Sequence, residues 1–359
     1  MGRWQAARLG GGGLLALMVV LVTGAGPALA CSGLIGPGGT VQLARTATLA
    51  AYHNGIEHYV TAFEFRGGGA KFGSVIPLPA VPTNVEKGGN WTLQRLVRET
   101  QPVGQALLAP AAAQPVSDKA EVLLTAKVDA LDLTVLRGGG MAVGTWAREH
   151  GFGLSPDAPE VLDFYADRSP IFLATSFDPT RAERRGQRLG DGTPVHLTIP
   201  TSNPWVPLRI LGLGLGSGDP VQADVYLLTD RKPALLPRPD GGMRLDQSRP
   251  ASPALLADLR SDRGMQWLPA SDMWLSYLKV STTAGALRHD LAVDASGQGT
   301  PSRLAAGLPV HSATLATGAE AAASGVLRRL PWPLVGLVAV TVVAVVLAAT
   351  SLMARAARR

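Results

Sequence analysis

The chain has 359 residues, 46% of them hydrophobic, with 33 Lys and Arg against 27 Asp and Glu, and its one cysteine excludes an intramolecular disulfide, so burial alone must hold any fold. The formal charge of +6 does not indicate nucleic acid, because it sits in two short flanks: Arg3 and Arg8, then Arg328, Arg329, Arg355, Arg358 and Arg359. Without those seven the body carries 26 basic against 27 acidic residues, leaving no field to steer a polyanion.

The N-terminus has the three parts of a secretory signal. Arg3 and Arg8 precede an apolar core from Leu14 to Val22, and small residues follow up to Ala28-Leu29-Ala30. The core is too short to span a bilayer, so residues 1–30 are expected to be removed and the mature chain to begin at Cys31. Two readings of Cys31 stand open: a free thiol after a complete Ala-x-Ala site, or a lipidation site, since bacterial lipoprotein signals also end before a cysteine.

The first strong structural signal is TATLAAYHNGIEHYVTAFEF, two strand-like runs about Asn54-Gly55, the dipeptide suited to a two-residue turn with positive φ at both positions. Pairing His53 with Ile56 sets Tyr52 opposite Glu57, Ala51 opposite His58 and Ala50 opposite Tyr59. Leu49, Ala51, His53, Ile56, His58 and Val60 then share one face, and Tyr52, Tyr59, Thr61 and Phe63 the other. FGSVIPLPAVPT reads as a short strand ending at Pro77, Pro79 and Pro82, which lack the N–H a ladder needs. NWTLQRLVRE reads as a helix capped by Asn90, and AEVLLTAKVDALDLTVL as one bent strand or two. GGGMAVGTWAREHG is a helix ended by Gly151, APEVLDFYADR a helix with Pro159 in its first turn, and IFLATSF a strand. VHLTI, WVPLRILGL and VQADVYLLT are expected as three strands. A helix at ASPALLADLRS and strands at MWLSYLKVST and LRHDLAVD follow.

From residue 295 to 330 the chain is rich in Ala, Gly, Ser and Thr, too poor in core-forming side chains to fold alone, and reads as a stalk. Beyond it, Leu334 to Met353 carry no charge over twenty residues. At about 1.5 Å per helical residue this matches the roughly 30 Å hydrocarbon core of a bilayer. The five C-terminal arginines flank this stretch, and Trp332 stands where an interfacial aromatic sits. The expected organisation is therefore a signal (1–30), an extracytoplasmic domain (31–294), a stalk (295–330), a transmembrane helix (331–354) and a basic cytoplasmic tail (355–359). The fold class is α+β, mainly antiparallel sheet with a few packed helices, plus the C-terminal transmembrane helix.

The order of these signals resembles a bacterial family of secreted or membrane-anchored proteins, domain of unknown function 2330. The resemblance rests on the Cys-Ser-Gly start, GIEHYVTAFEF, FGSVIPLPAVP, the helix reaching Thr100 and Pro102, TWAREHGF with VLDFYADR, IFLATSF and WVPLRI, and covers roughly residues 31 to 230. This chain has Gly73 or Ser74 where the family often has tryptophan, and lacks the further cysteines of many members, so no family disulfide carries over. The resemblance implies an envelope address and a single fold, and no activity.

Chemistry is concentrated in few places. His53 and His58 on one hairpin face are diagonal neighbours that could converge on a metal ion, although a zinc site needs three or four protein ligands and none further is evident; turn and surface roles are the plainer reading. The proline ridge of Pro77, Pro79 and Pro82 is either a docking surface for another envelope protein or cell-wall polymer, or protection of a sheet edge. GLGLGSGDP lacks the Lys-Ser/Thr of a phosphate loop and precedes a strand, so it reads as a turn. Asp163 and Asp167, four apart on a helix beside Arg168, read as a solvated face. No G-x-S-x-G, H-E-x-x-H or S-x-x-K motif occurs. The sequence thus points to a single-pass membrane protein with its N-terminal domain outside and its C-terminus cytoplasmic, and to a non-catalytic binding or structural module, the alternative being a metal-dependent enzyme acting on an envelope substrate.

Overall fold

Asn54 and Gly55 adopt φ of 51° and 79°, closing the turn that the dipeptide dictates. The strands on either side pair in the expected register, His53 with Ile56, Tyr52 with Glu57, Ala51 with His58 and Ala50 with Tyr59. This hairpin is the spine of a domain seen in a computed structural model that describes residues 33–35, 41–67, 72–100, 120–186 and 193–310. Cys31, the expected signal, the expected span at 331–354 and its flanks Arg328, Arg329, Trp332, Arg355, Arg358 and Arg359 lie outside the described residues. No helix among the described residues is long and apolar enough to cross a membrane.

In chain order the elements are β1 (Gly33–Ile35), β2 (Val41–His53), β3 (Ile56–Gly67), β4 (Gly73–Leu78), β5 (Asn84–Lys87), α1 (Thr92–Thr100), β6 (Glu121–Val128) and β7 (Leu131–Arg137). There follow α2 (Gly140–Glu149), α3 (Ala158–Ala166), β8 (Ile171–Phe177), α4 (Pro179–Arg184), β9 (Val195–Pro200), β10 (Trp205–Val206) and β11 (Pro220–Thr229). The remainder are β12 (Ala234–Leu236), β13 (Met243–Pro250), α5 (Pro253–Ser261), β14 (Trp274–Thr283) and β15 (Leu291–Asp294). The class is α+β with mainly antiparallel sheet. One sheet runs β13-β14-β11-β2-β3-β9-β5, a second β1-β4-β8-β7-β6 and a small third β10-β15-β12. The β2–β11 pairing is parallel and its neighbours are antiparallel.

Burial sorts these elements into four layers. Ala50, Tyr59, Leu197, Ile199, Val225 and Leu227 of the large sheet pack against Ile76, Leu131, Leu133, Val135 and Leu173 of the five-stranded sheet. The outer face of the large sheet, with Leu49, Ala51, Val60, Tyr226 and Leu228, is covered by Leu93 and Leu96 of α1 and Leu255, Leu256 and Leu259 of α5. The outer face of the second sheet, with Val75, Leu136, Phe172 and Ala174, is covered by α2 and α3 through Val143, Trp146, Val161, Leu162 and Tyr165. A strand buried on both faces needs no polar side, which is why β8 reads as an almost unbroken apolar run. Each fully buried Leu, Val or Phe contributes about 1.5–3 kcal/mol, which lets a domain without a disulfide stand.

Three sequence expectations change. Helix α1 is capped not by Asn90 but by Asp262, the residue after α5, whose carboxylate accepts from the N–H groups of Asn90 (3.0 Å), Trp91 (2.9 Å) and Thr92 (2.8 Å) and from the Thr92 hydroxyl (2.8 Å). WVPLRILGL forms only two residues of strand, because Pro207 has no N–H and the N–H groups of Leu208 (2.7 Å) and Arg209 (2.9 Å) turn to Asp290, winding Arg209–Gly212 into a 3-10 turn. Of the one bent strand or two left open for the run from Ala120, the chain forms two, paired as the hairpin of β6 and β7. The domain also does not end at residue 294 but continues to Leu308. Ala305 and Ala306 are buried, and a Cβ at Gly307 would lie 2.3 Å from the Phe164 ring. Small residues there serve close packing rather than a stalk.

The capping carboxylate gives a testable consequence. Burial alone would raise Asp262, but the N–H of Trp91, the Thr92 hydroxyl and the N–H groups of Arg263 and Asn90 outweigh it and hold the group below its ordinary 3.8. Asp262→Ala is expected to lose about 2–3 kcal/mol at neutral pH, a helix cap plus buried donors left unmade. Because the folded pKa is depressed, the stabilisation is present above 3.8 and fades as pH falls through the folded value. Urea unfolding should therefore show the two proteins converging in acid; a gap of constant size would mean that the carboxylate's charge is irrelevant.

Candidate functional site

The residues with most chemistry lie where β3, β9 and β5 run side by side. His58 pairs across with Thr198 and Val60 with His196, so His58 and His196 are diagonal neighbours on one face. Glu86 stands directly opposite His196. Nδ1 of His58 is 3.0 Å from Nε2 of His196, and Nδ1 of His196 is 3.3 Å from a carboxylate oxygen of Glu86. The Trp267 indole, on the segment after α5, lies over the His58 ring at 3.6 Å between centroids and 3° from parallel. Burial first, then the neighbouring His196 and His53, press the His58 imidazole down to about 3. Burial also lowers His196, with Glu86 opposing it, so both rings are neutral near physiological pH. Neither Nδ1 of His196 nor Nε1 of Trp267 forms a hydrogen bond within the described residues.

His53 does not join this group. Its Nδ1 is 2.5 Å from Asp230 and its Nε2 is 2.8 Å from the Asn54 amide, so each expected ligand engages a different partner. Among the described residues no group of three or more His, Cys, Asp and Glu gathers in a way that could hold an ion. The partner missed by sequence reasoning is His196; the diagonal-neighbour rule was right, but the neighbouring strand was β9.

On the opposite face of the same hairpin, Tyr52 and Glu57 sit side by side at the end of the two-sheet interface. The Tyr52 hydroxyl donates to the carbonyl of Thr201 at 2.9 Å. Burial, followed by the charges of Glu57, Asp230 and Asp294, raises its pKa. An open depression of about 70 Å³ adjoins it, lined by Asn203, Asp294, Ser296, Thr300 and Ser302 among others. Glu57 is 1% exposed and neither of its oxygens has a hydrogen bond of normal geometry. Burial drives its carboxyl up to about 8, and the Trp205 backbone amide offsets only part of the rise.

The other expected sites resolve into structural roles. Pro77 and Pro82 are buried and Pro79 half-buried, so the proline ridge presents little of itself for docking. Pro77 pairs with Phe172 on one side, and on the other β1 pairs only as far as Val75, so no ladder bond asks for its missing N–H. GLGLGSGDP is a loop before β11, in which the Gly216 N–H donates to Asp219 at 2.7 Å. Asp163 accepts from the N–H of Gly140 at 3.1 Å and so braces the start of α2 rather than pairing with Asp167.

No family model matches the chain. No curated protein matches it either. Two solved structures share a loose likeness of backbone course. One is baculovirus P35, at a TM-score of 0.37 and 8% identity over 71% of this chain and 97% of that one. The other is a mutated baculovirus P35 after caspase cleavage, at a TM-score of 0.34 and 8% identity over 70% of this chain and 99% of that one.

Proposed function

We propose that the chain is a single-pass protein of a bacterial envelope, a member of the domain of unknown function 2330 family, whose exported domain is a non-catalytic binding or structural module. Residues 1–30 would be removed, the domain would lie outside, residues 331–354 would anchor it and the tail 355–359 would face the cytoplasm. The layout of charges and apolar runs at the two ends supports this address. The partner class is another envelope protein or the cell-wall polymer.

The observation that carries binding over catalysis is the state of the histidines. A ring whose pKa lies at about 3 is too weak a base to accept a proton near neutral pH. His53 is meanwhile committed to Asp230. The alternative, a metal-dependent enzyme, draws on one observation, the 3.0 Å approach of His58 to His196.

Two measurements test the proposal. In intact cells expressing the full chain, a membrane-impermeant maleimide should label Cys31, or a mass increase should show lipid there; labelling only after permeabilisation would place the domain inside and end the envelope reading. The purified full chain, mixed with insoluble cell-wall polymer or envelope extract, should be retained without releasing soluble fragments. Fragment release that disappears in His58→Ala would replace the module by the enzyme.

A further inference from the structure

We propose that the depression beside Tyr52 is a carbohydrate site, which takes the edge of one neutral pyranose ring of a polysaccharide. The inference rests on the reading of the domain as a binding module and names the chemistry of its partner. What carries it is a lining that is polar but offers nothing to an ion. Tyr52, Ser202, Asn203 and Thr300 line the opening together with Asp294, and no Lys, Arg or His does so among the described residues. An anion is disfavoured, since nothing there neutralises it and the charges of Asp230 and Asp294 already reach Tyr52. A cation has no better claim. Asp294 is 9% exposed and spends its carboxylate on the loop that follows. Its Oδ1 accepts from the N–H of Ser296 at 2.8 Å and from the Ser296 hydroxyl at 2.6 Å, and its Oδ2 from the N–H of Thr300 at 2.9 Å. An apolar ligand would strand the amide and the hydroxyls of the lining. The class left is a neutral molecule rich in hydroxyl groups.

The walls are held before any ligand arrives. The Tyr52 hydroxyl is tied to the carbonyl of Thr201 at 2.9 Å, and the N–H of Asn203 donates to the Thr201 hydroxyl at 3.1 Å. The N–H of Val293 donates to the carbonyl of Pro204 at 3.1 Å and joins the two sides of the opening. Binding therefore costs little ordering of the protein. Hydrogen-bonding capacity remains on both sides. The Asn203 amide donates one N–H to the Ser202 hydroxyl at 3.0 Å and keeps the other, and Thr300 engages only its backbone N–H among the described residues. Both residues are exposed. Amide and hydroxyl side chains each donate and accept, as neighbouring sugar hydroxyls do. Tyr52, whose polar end is already satisfied, offers ring surface to the C–H groups of a pyranose. An opening of about 70 Å³ is small beside the roughly 300–1,000 Å³ of an enclosing pocket, so it grips one ring from the side and leaves the rest of the glycan outside. Such a grip is weak for one sugar and is multiplied where a polymer repeats the ring.

The experiment uses the full chain in a detergent without a sugar head group. Chitotetraose, a neutral acetamido glycan, and maltotetraose, a neutral hexose glycan, are offered in turn, and saturation-transfer magnetic resonance reads which sugar protons touch the protein. Transfer to the ring C–H protons of at least one is expected, with a dissociation constant of about 1 mM. Transfer to chitotetraose alone would assign the site to acetamido sugars, and to maltotetraose alone to plain hexoses. Asn203→Ala and Thr300→Ala, both at exposed positions, should each weaken binding about twofold to tenfold at an unchanged melting temperature, and Tyr52→Ala roughly tenfold. Trp91→Ala, which removes a 37% exposed aromatic beside the start of α1, should change nothing. No transfer to either sugar at about 10 mM would overturn the site. Equal transfer from wild type, Asn203→Ala and Thr300→Ala, or a loss confined to Trp91→Ala, would overturn it as well. The module reading would survive such a failure if the full chain were still retained on insoluble cell-wall polymer, and it falls separately, by fragment release or an internal location.

Discussion

Replacing Asp290 by alanine is expected to lower the unfolding free energy by about 3–5 kcal/mol, because it strands a buried charge. Asp290 is 0% exposed and its carboxylate gathers four donors: Arg168 Nη2 at 2.6 Å, the Tyr165 hydroxyl at 2.8 Å, and the N–H groups of Leu208 at 2.7 Å and Arg209 at 2.9 Å. The Arg168 guanidinium lies 4.2 Å from the ring centroids of both Phe164 and Trp205, and its Nη1 donates to the carbonyl of Ala305 at 2.7 Å. Burial, and then Asp290 itself, pushes the Tyr165 phenol well above its ordinary range, so it remains a donor. One carboxylate therefore ties α3, the turn after β10 and the last packed segment together. Asp290→Asn keeps an acceptor for the two N–H groups but not the charge, and should fall between wild type and alanine. Pairing Asp290→Ala with Arg168→Met should recover part of the loss, since no guanidinium is then left unpaired. The readouts are thermal unfolding of the full chain and proteolysis around residues 302–308, which should become cleavable in Asp290→Ala alone. Strict additivity of the two substitutions would show that the pair is not coupled.

What the sequence made legible follows the range over which each feature is decided. The β2–β3 hairpin was readable to the residue because Asn54-Gly55 allows one kind of turn and the turn fixes the register. Helix α5, with Ser252 as cap and Pro253 in its first turn, and the apolar β8 are settled within their own windows. The histidine pair spans 138 positions and the Asp262 cap about 170, and no local pattern says that β9 will lie beside β3 or that α5 will end at the start of α1. The same limit explains the proline ridge. The sequence leaves its prolines as either a docking surface or the protection of a sheet edge; the covering layers bury two of the three, and burial is decided by elements far away in the chain. Composition misled at residues 295–308 because a segment of small side chains that cannot make a core can still fill a narrow gap in someone else's.

Glu57 is the residue for which a single proton should govern stability. It lies between the two large sheets, opposite Tyr52 on one side and Ile199 on the other, with no hydrogen bond of normal geometry to either oxygen and with Asp230 and Asp294 adding negative charge around its neighbour Tyr52. Its carboxyl rises from an ordinary 4.5 to about 8 on folding because burial penalises the ion. A group with a raised folded pKa contributes its full stability below the unfolded value and loses it as pH climbs through the folded one. The wild-type domain should thus weaken progressively between pH 4.5 and about 8 by roughly 4 kcal/mol from this residue alone. Glu57→Gln, isosteric with the protonated acid and unable to ionise, should match wild type below pH 4.5 and exceed it by that amount at the alkaline end. The proper comparison is denaturant unfolding of both full chains across this range. Parallel stability curves would mean that Glu57 is ionised and hydrated in the folded protein, and that the end of the sandwich beneath Trp205 admits water. A gap that opens only with rising pH would mean that the fold keeps this carboxyl dry and neutral, and that alkaline conditions loosen the molecule from that end first.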